Sequence, residues 1–336
     1  MDLKMKYKKA GGEFVIETPL KSASGLDIKE CDLSTKDNLK TYHRESKEKI
    51  EWPIFLFILS LHIACIAAFF TFSWPAFFLC LTLHWITACL GITLCYHRLL
   101  THRSFEVPKP LEYVLAVIGC LACQAGPIRW VATHRLHHAY SDDDADPHSP
   151  LRGFFWAHMN WVLHKNQRFV GSFKAYSRFA PDLAKDPVYV FINKTHILWS
   201  LLLGIGLYLW GGWSFVVWGV FVRTVLVYHT TWLVNSATHI WGYRTYKTDD
   251  QSTNLWWVAL IAYGEGWHNN HHAFQYSARH GLRWWEIDTT YWVIRLLKIF
   301  GLAKNIKIPS EHHIFGKNNF ITSFIPIPSE LPPYDS

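Results

Sequence analysis

Apolar runs and polar segments alternate along the chain. From Pro53 to Tyr96 there is no Asp, Glu, Lys or Arg, a stretch of 44 residues. That is too long for one membrane crossing and about right for two of ~20 residues each. Ser73-Trp74-Pro75 interrupts it, because proline ends a helix and biases the residue before it away from helix. The pattern predicts spans over 53–72 and 76–97. A second pair follows over 190–210 and 214–236, divided at Gly211-Gly212-Trp213-Ser214, with Lys194 near one end and Arg223 inside. Two further apolar pieces, 111–126 and 254–263, are too short to cross and fit interfacial or buried helices. The expected fold class is an all-α integral membrane protein with four transmembrane helices.

Composition agrees with alternation. Mean hydropathy is only +0.04, so the chain is not apolar from end to end. The turns at 73–75 and 211–214 carry no charge, while the segments outside the spans hold nearly all the Lys and Arg. The positive-inside rule then puts both termini and the polar segments in the cytosol. Residues 1–50 form a polar, mixed-charge N-terminal segment that resembles neither a secretory signal nor a transit peptide. Residues 51–320 form the membrane domain, and 321–336 a Pro-rich tail. Six of the seven cysteines sit in apolar runs, where free Cys packs as a small hydrophobe. Cys120-x2-Cys123 is read the same way, since a structural zinc site needs four ligands. The sequon Asn193-Lys194-Thr195 falls on the cytosolic side and is discounted. Arg223 is expected to have a structural partner inside the bundle.

Histidine changes the picture. His97-x4-His102, His134-x2-His137-His138 and His268-x2-His271-His272 all fall on the predicted cytosolic side. Imidazole is the commonest transition-metal ligand, and eight clustered copies imply more than one ion. His134, His137 and His138 project from one helix face within ~100° of arc, and His268, His271 and His272 repeat that spacing. On a straight α-helix His97 and His102 lie ~140° apart, so they share a centre only if the helix ends or bends between them. His239 follows the fourth span. Asn235, one turn earlier, could hydrogen-bond a metal-bound water. His43, His164, His280, His312 and His313 are read as surface residues. His62, His84 and His229 are read as hydrogen-bonded inside the bundle, and His148 as supporting the site. Soluble diiron bundles use several Glu ligands and two Glu-x-x-His motifs. Here Glu265 and His268 form the single such pair, and Glu265 is read as supporting a ligand. A catalytic zinc needs three protein ligands, far fewer than this set.

His97-Arg98-Leu99-Leu100-Thr101-His102-Arg103-Ser104-Phe105 resembles the first histidine box of the membrane fatty acyl desaturases, close to the Δ9 (stearoyl-CoA-type) branch. Trp130 to His138, Asp146-Pro147-His148, Gly153-Phe154-Phe155, Trp232-Leu233-Val234-Asn235-Ser236 and Gly264-Glu265-Gly266-Trp267-His268-Asn269 are similar in order and spacing. The resemblance implies four transmembrane helices under a cytosolic helical cap that holds a histidine-rich diiron site. One iron would take His97, His102, His134, His138 and His271. The other would take His137, His239, His268 and His272, with Asn235 holding a water. It also implies a kinked acyl tunnel, with Gln124, Trp130, Thr231 and Trp232 at the bend and Trp85 and Cys89 where the tunnel closes. Trp85 is equally readable as packing against a neighbouring helix. Ala132-Thr133 and Ala125-Gly126 replace the residues with which the animal enzymes grip coenzyme A, and Arg129 is a substitute cation.

The activity implied is O2-dependent insertion of a cis double bond, Δ9 in type, into a saturated long-chain acyl-CoA or lipid-linked acyl chain. Cofactors would be two iron ions, with O2 as co-substrate. No His-Pro-Gly-Gly haem motif is visible, so electrons would come from a separate donor, cytochrome b5 or ferredoxin with its reductase. A net charge of +7 suits an acidic donor and anionic lipid headgroups alike. No nucleic-acid partner is expected. The membrane would be the endoplasmic reticulum in a eukaryote, and the plasma or thylakoid membrane in a bacterium. Three other readings compete. A diiron lipid hydroxylase of the histidine-box superfamily would share the ligand set. A membrane bis-His haem protein would use single histidines such as His62 and His84 and leave the clusters unexplained. A metal transporter would put its ligands inside the spans.

Overall fold

The computed structural model describes residues 49–143, 145–165 and 173–315. Residues 1–48, with Cys31 and His43, and the tail 321–336 lie outside these. Among the described residues the regular structure is helical. Extended pairing is limited to isolated bridges such as Glu106 with Lys304.

Helix α1, Trp52–Ala64, starts with Pro53 in its first turn, where the missing N–H costs no hydrogen bond, and tightens into a 3-10 turn over Cys65–Phe69. Its apolar residues Leu56, Phe57, Leu59, Ile63 and Ile66 are exposed, as a lipid-facing surface requires. Helix α2, Trp74–His84, is capped by Ser73, whose Oγ accepts from the Ala76 N–H. It continues through a π-helical stretch, Trp85–Thr101. A third run extends from α6, His196–Val216, through Val217–Val222 and α7, Arg223–Ser236, to His239. These three stretches, Trp52–Phe69, Trp74–Thr101 and His196–His239, are long and apolar enough to cross a membrane. The last has 44 residues and is broken at the expected place. Gly211 and Gly212 leave helical geometry, and Gly212 has a φ of 66°, which a residue with a Cβ rarely adopts. Ser214 Oγ donates to the Thr71 carbonyl (2.6 Å) and lies 3.2 Å from Ser73 Oγ. The two uncharged breaks therefore meet, and the histidine-bearing ends of α2 and α7 lie away from them.

Between these runs, α3 (Lys109–Cys120), α4 (Pro127–Ala139) and α5 (Pro187–Lys194) pack beside α2. Ile92, Tyr96, Leu99 and Leu100 of α2 form one core with Leu115 and Ala116 of α3 and Ile128, Val131 and Leu136 of α4. The α2–α3 approach is backbone to backbone: a Cβ on Gly91 would stand 2.8 Å from the Gly119 Cα. The third span was expected from residue 190. Instead α5 ends at Lys194, and Thr195 (φ −101°, ψ 11°) separates it from α6. Asn193 is the physical reason for this arrangement. Its Oδ1 accepts from the N–H groups of Ile128 (3.1 Å) and Arg129 (3.3 Å), so it caps α4 from outside and α5 must stay in the cap. The 111–126 piece is likewise shorter as a helix than its apolar pattern. After Cys120 the chain turns through Cys123 (φ 55°) and Ala125 (φ 76°), which swings Gln124 toward α7.

Polar groups inside the bundle pair as expected. His62 Nε2 lies 3.1 Å from His229 Nε2, and His229 Nδ1 lies 3.0 Å from Nε2 of His158, a histidine that the sequence did not single out. His84 bonds Tyr263 (2.7 Å). Buried Arg223 donates to the Gly219 carbonyl (3.0 Å) and to that of Leu121. The described cysteines are free, with Cys120 beside the Tyr96 hydroxyl (3.2 Å) and Cys123 beside Ser200 (3.1 Å).

Candidate metal centre

Nine histidines from four segments converge on two points. His97 and His102 come from the end of α2 and His134, His137 and His138 from α4. His239 comes from the turn after α7. His268, His271 and His272 come from α9, His268–Ala273, which follows a short helix α8, Trp256–Ile261. His97, His102, His134, His138 and His271 each offer one nitrogen, all within 4.8 Å of one another. His137, His239, His268 and His272 form a second group by the same measure. These are the two sets that the resemblance implied.

The awkward pair, His97 and His102, is resolved by local backbone geometry. The His102 N–H bonds the His97 carbonyl, five residues back (3.1 Å). In a π-helical turn residues five apart share a face, and the two rings stand with centroids 4.8 Å apart. The α4 and α9 triplets work as i, i+3, i+4 sets, each splitting its rings between the two groups.

The nitrogen chemistry fits a metal. Nδ1 of His97, His137, His239 and His272 meets Glu265 (2.6 Å), Asp146 (2.9 Å), Asp142 (3.1 Å) and Asp250 (2.6 Å) respectively. A neutral ring that donates from Nδ1 must present a lone pair at Nε2. Those lone pairs face inward. Nε2 of His137 and of His272 is buried without a hydrogen-bond partner. Elsewhere Nε2 faces Nε2: His97 with His271 (3.1 Å), His271 with His138 (3.0 Å), His138 with His134 (3.0 Å) and His239 with His268 (3.1 Å). One His271 nitrogen cannot donate to two neighbours, whereas a shared cation satisfies all of them. Burial pushes the imidazoles of His268 and His271 well below their ordinary pKa, so both are neutral, the form a metal requires. Burial opposes the ionisation of Asp146, Asp250 and Glu265. Their histidine partners overcome it and hold all three below the usual carboxylate range.

Sequence reasoning missed part of this shell. Asp142, Asp146 and Asp250 lie on loops, and no spacing rule ties them to histidines up to 97 positions away. A search for carboxylate partners of every clustered histidine would have raised them as candidates. His280 is a correction: expected at the surface, it is buried, with its ring 4.5 Å from that of His271 and its Nδ1 3.4 Å from Glu265. The reason is Asp288, which accepts from the His280 N–H (2.7 Å) and from Arg98 (2.9 Å) and folds the 277–288 loop over the site. His148 packs on His137 (ring centroids 4.3 Å). His164 is half-buried and bonds the Asn160 carbonyl, while His312 and His313 are exposed.

The other expected site residues do not all come together. Gln124 joins two of its companions: its amide donates to Thr231 Oγ1 (2.9 Å) and accepts from Trp130 Nε1 (3.1 Å). Trp130 lies against His134, with ring centroids 5.1 Å apart, so this trio abuts the five-histidine group. Trp232 is buried and stacked on Tyr228 (5.0 Å). Cys89 is buried beside Thr290, whereas Trp85, on the same helix, is 39 % exposed. Asn235 is half-buried one turn before His239. A cleft of about 420 Å³, lined by Thr101, His102, Arg135, His138, Gln275 and Tyr276, reaches the five-histidine group from outside.

Comparison with known proteins follows the same line. The profile of the family described as fatty acid desaturase matches residues 72–298. The sn-1 stearoyl-lipid 9-desaturase of Anabaena variabilis is 56% identical over 273 residues, covering 81% of this chain and 99% of that protein. The sn-2 palmitoyl-lipid 9-desaturase of Nostoc sp. (strain 36) is 47% identical over 78% of this chain and 92% of its own length. The acyl-CoA C20 Delta5-desaturase of Anemone leveillei is 48% identical over 80% of this chain and 89% of its own.

Proposed function

The chain belongs to the fatty acid desaturase family and is an acyl desaturase, and from that premise we propose that it inserts a cis Δ9 double bond into saturated long-chain acyl groups carried by a membrane lipid. The observation that carries the chemistry is the convergence of nine imidazoles, with inward-facing nitrogens, on two points beside the apolar helices. His97, His102, His134, His138 and His271 would hold one iron. His137, His239, His268 and His272 would hold the other, with a water on Asn235. Two irons there would supply dioxygen activation and the removal of hydrogen from unactivated methylenes.

The chain's own residues position the substrate. An apolar channel binds an acyl chain by burying methylenes, at ~0.8 kcal/mol each, so shifted registers differ little in energy. A bend selects one register. The Trp130–Gln124–Thr231 hydrogen bonds, beside His134, are rigid enough to form it. Trp232, next to Thr231 in the chain, would back the same wall, and Cys89 would line the far end. Exposed Trp85 suits packing against lipid or a neighbour better than closing the channel.

We place four spans in the membrane, because the 44-residue stretch breaks at Gly211-Gly212 beside the Ser73 turn. The cap, the histidines and both termini are cytosolic by the positive-inside rule. Electrons would arrive from a separate acidic donor, cytochrome b5 or ferredoxin with its reductase. The lipid-linked carrier is favoured by the Anabaena relative, named for a stearoyl-lipid substrate, and by small residues at 125–126 and 132–133. The Δ9 position has support from the same name and from the bend residues.

Expression in a desaturase-deficient host tests this reading, with double bonds located by gas chromatography–mass spectrometry and an in vitro assay comparing acyl-lipid with acyl-CoA. The expected result is Δ9 monoenes formed on glycerolipid. Hydroxylated chains, or double bonds formed on acyl-CoA alone, would overturn it.

A further inference from the structure

The two histidine groups differ in what stands behind them. In the four-histidine group three rings are backed by carboxylates: His137 by Asp146, His239 by Asp142 and His272 by Asp250. Each aspartate is itself fixed by backbone N–H groups. Asp146 accepts from Asp142 (3.0 Å) and His148 (3.1 Å), Asp142 from Gln251 (2.5 Å) and Asp250 from Ser252 (3.0 Å). Among the described residues, the ion-pair partners of these aspartates are histidines. Among the described residues, one ring of the five-histidine group, His97, is backed by a carboxylate, and that carboxylate is shared. Glu265 also accepts from buried Arg98 (3.0 Å), which in turn pairs with Asp288 (2.9 Å). The Glu265–Arg98–Asp288 network carries a formal −1, against −3 for the three aspartates.

We propose that Asp142, Asp146 and Asp250 are positioning residues that make the four-histidine group the tighter metal site, the one that fills first. The proposal rests on the reading of both groups as metal sites. A carboxylate on Nδ1 locks the ring's tautomer and orientation and raises the basicity of Nε2, and losing such a partner costs 10–100-fold in metal affinity. Two more partners than the other group are worth on the order of 10² to 10⁴. The opposing effect is the extra imidazole of the five-histidine group. That imidazole takes a place water would otherwise fill, so it contributes only the difference between the two ligands. Three members of that group, His102, His134 and His138, are also half-buried, two of them lining the cleft, whereas all four members of the other group are buried. Greater negative charge and fuller burial both favour the four-histidine group as the firmer hold on a cation.

The test is a Co2+ titration of the chelator-stripped, full-length protein in detergent, followed by visible absorption and calorimetry. Two unequal steps are expected. The tighter should vanish in His268→Ala and persist in His134→Ala. Asp146→Asn and Asp250→Asn should weaken it 10–100-fold, Glu265→Gln should leave it unchanged, and Asp250→Glu, which keeps the charge, should restore most of it. Near-ultraviolet circular dichroism identifies variants that have lost their fold, and for those the Asp250→Glu comparison carries the decision. Two equal steps, or a tight step lost in His134→Ala and kept in His268→Ala, would overturn the proposal. No bound cobalt in the wild type would overturn the metal reading itself, and this inference with it.

Discussion

The five-histidine and four-histidine groups share a ligand type and two helices, α4 and α9, but are built for different surroundings. The five-histidine group lies beside the cleft lined by His102 and His138 and against the Trp130–Gln124–Thr231 trio. The four-histidine group is closed and backed by three aspartates. One lies between an open cleft and a polar trio, and the other is braced from behind. The lesson is that ligand count alone does not define a metal site. Its tightness and access are set by what the second nitrogen of each imidazole touches and by which rings reach solvent.

The largest expected effect breaks both groups equally. His97→Ala, His134→Ala or His268→Ala should each abolish double-bond formation while the protein still inserts in the membrane, as read by product analysis and membrane fractionation. Activity surviving in all three would undo the pairing of the groups as one reaction centre. A smaller effect separates the groups. Gln124→Leu leaves the Trp130 N–H and Thr231 without their partner, a cost of ~1–3 kcal/mol. It should lower turnover about tenfold and scatter the double-bond position, because the trio abuts the five-histidine group. A tight, unshifted product distribution would remove the trio from substrate positioning.

The smallest expected effect concerns the cleft wall. Arg135, which lines the cleft, pairs with Asp182 (2.7 Å), as does Arg103 (2.7 Å). Burial alone would raise the Asp182 pKa, but hydrogen bonds from both arginines hold it below the usual range. A depressed carboxylate pKa stabilises the fold above the unfolded value of ~3.9 and loses that contribution as pH falls through the folded value. Asp182→Asn should therefore lower stability at pH 7 by about 1 kcal/mol or less for so exposed a pair, read as a slightly lower Tm. The difference from wild type should begin to shrink as pH falls below ~4 and vanish only once pH is below the depressed folded-state value. An equal difference at low pH would assign the effect to packing instead.

Much of the centre was legible in the chain itself, for physical reasons. Span pairs show as uncharged runs, and HxxHH spacing shows one helix face. What stayed hidden depends on backbone detail or distant loops. The π-helical bond that unites His97 with His102 has no composition signature. The aspartates reach their histidines only after the loops that carry Asp142, Asp146 and Asp250 fold. His280 looked like surface because the burial comes from Asp288, eight residues on. The start of α6 was misplaced because Asn193 is claimed by α4, a contact 65 residues away in sequence.

The most direct test of the account is an iron count on the purified chain, paired with Mössbauer spectra of protein grown on 57Fe. Two irons per chain in two distinguishable environments are predicted, with His134→Ala and His268→Ala each removing a different one. A single environment, one iron per chain, or the same loss in both variants would contradict the two-group centre.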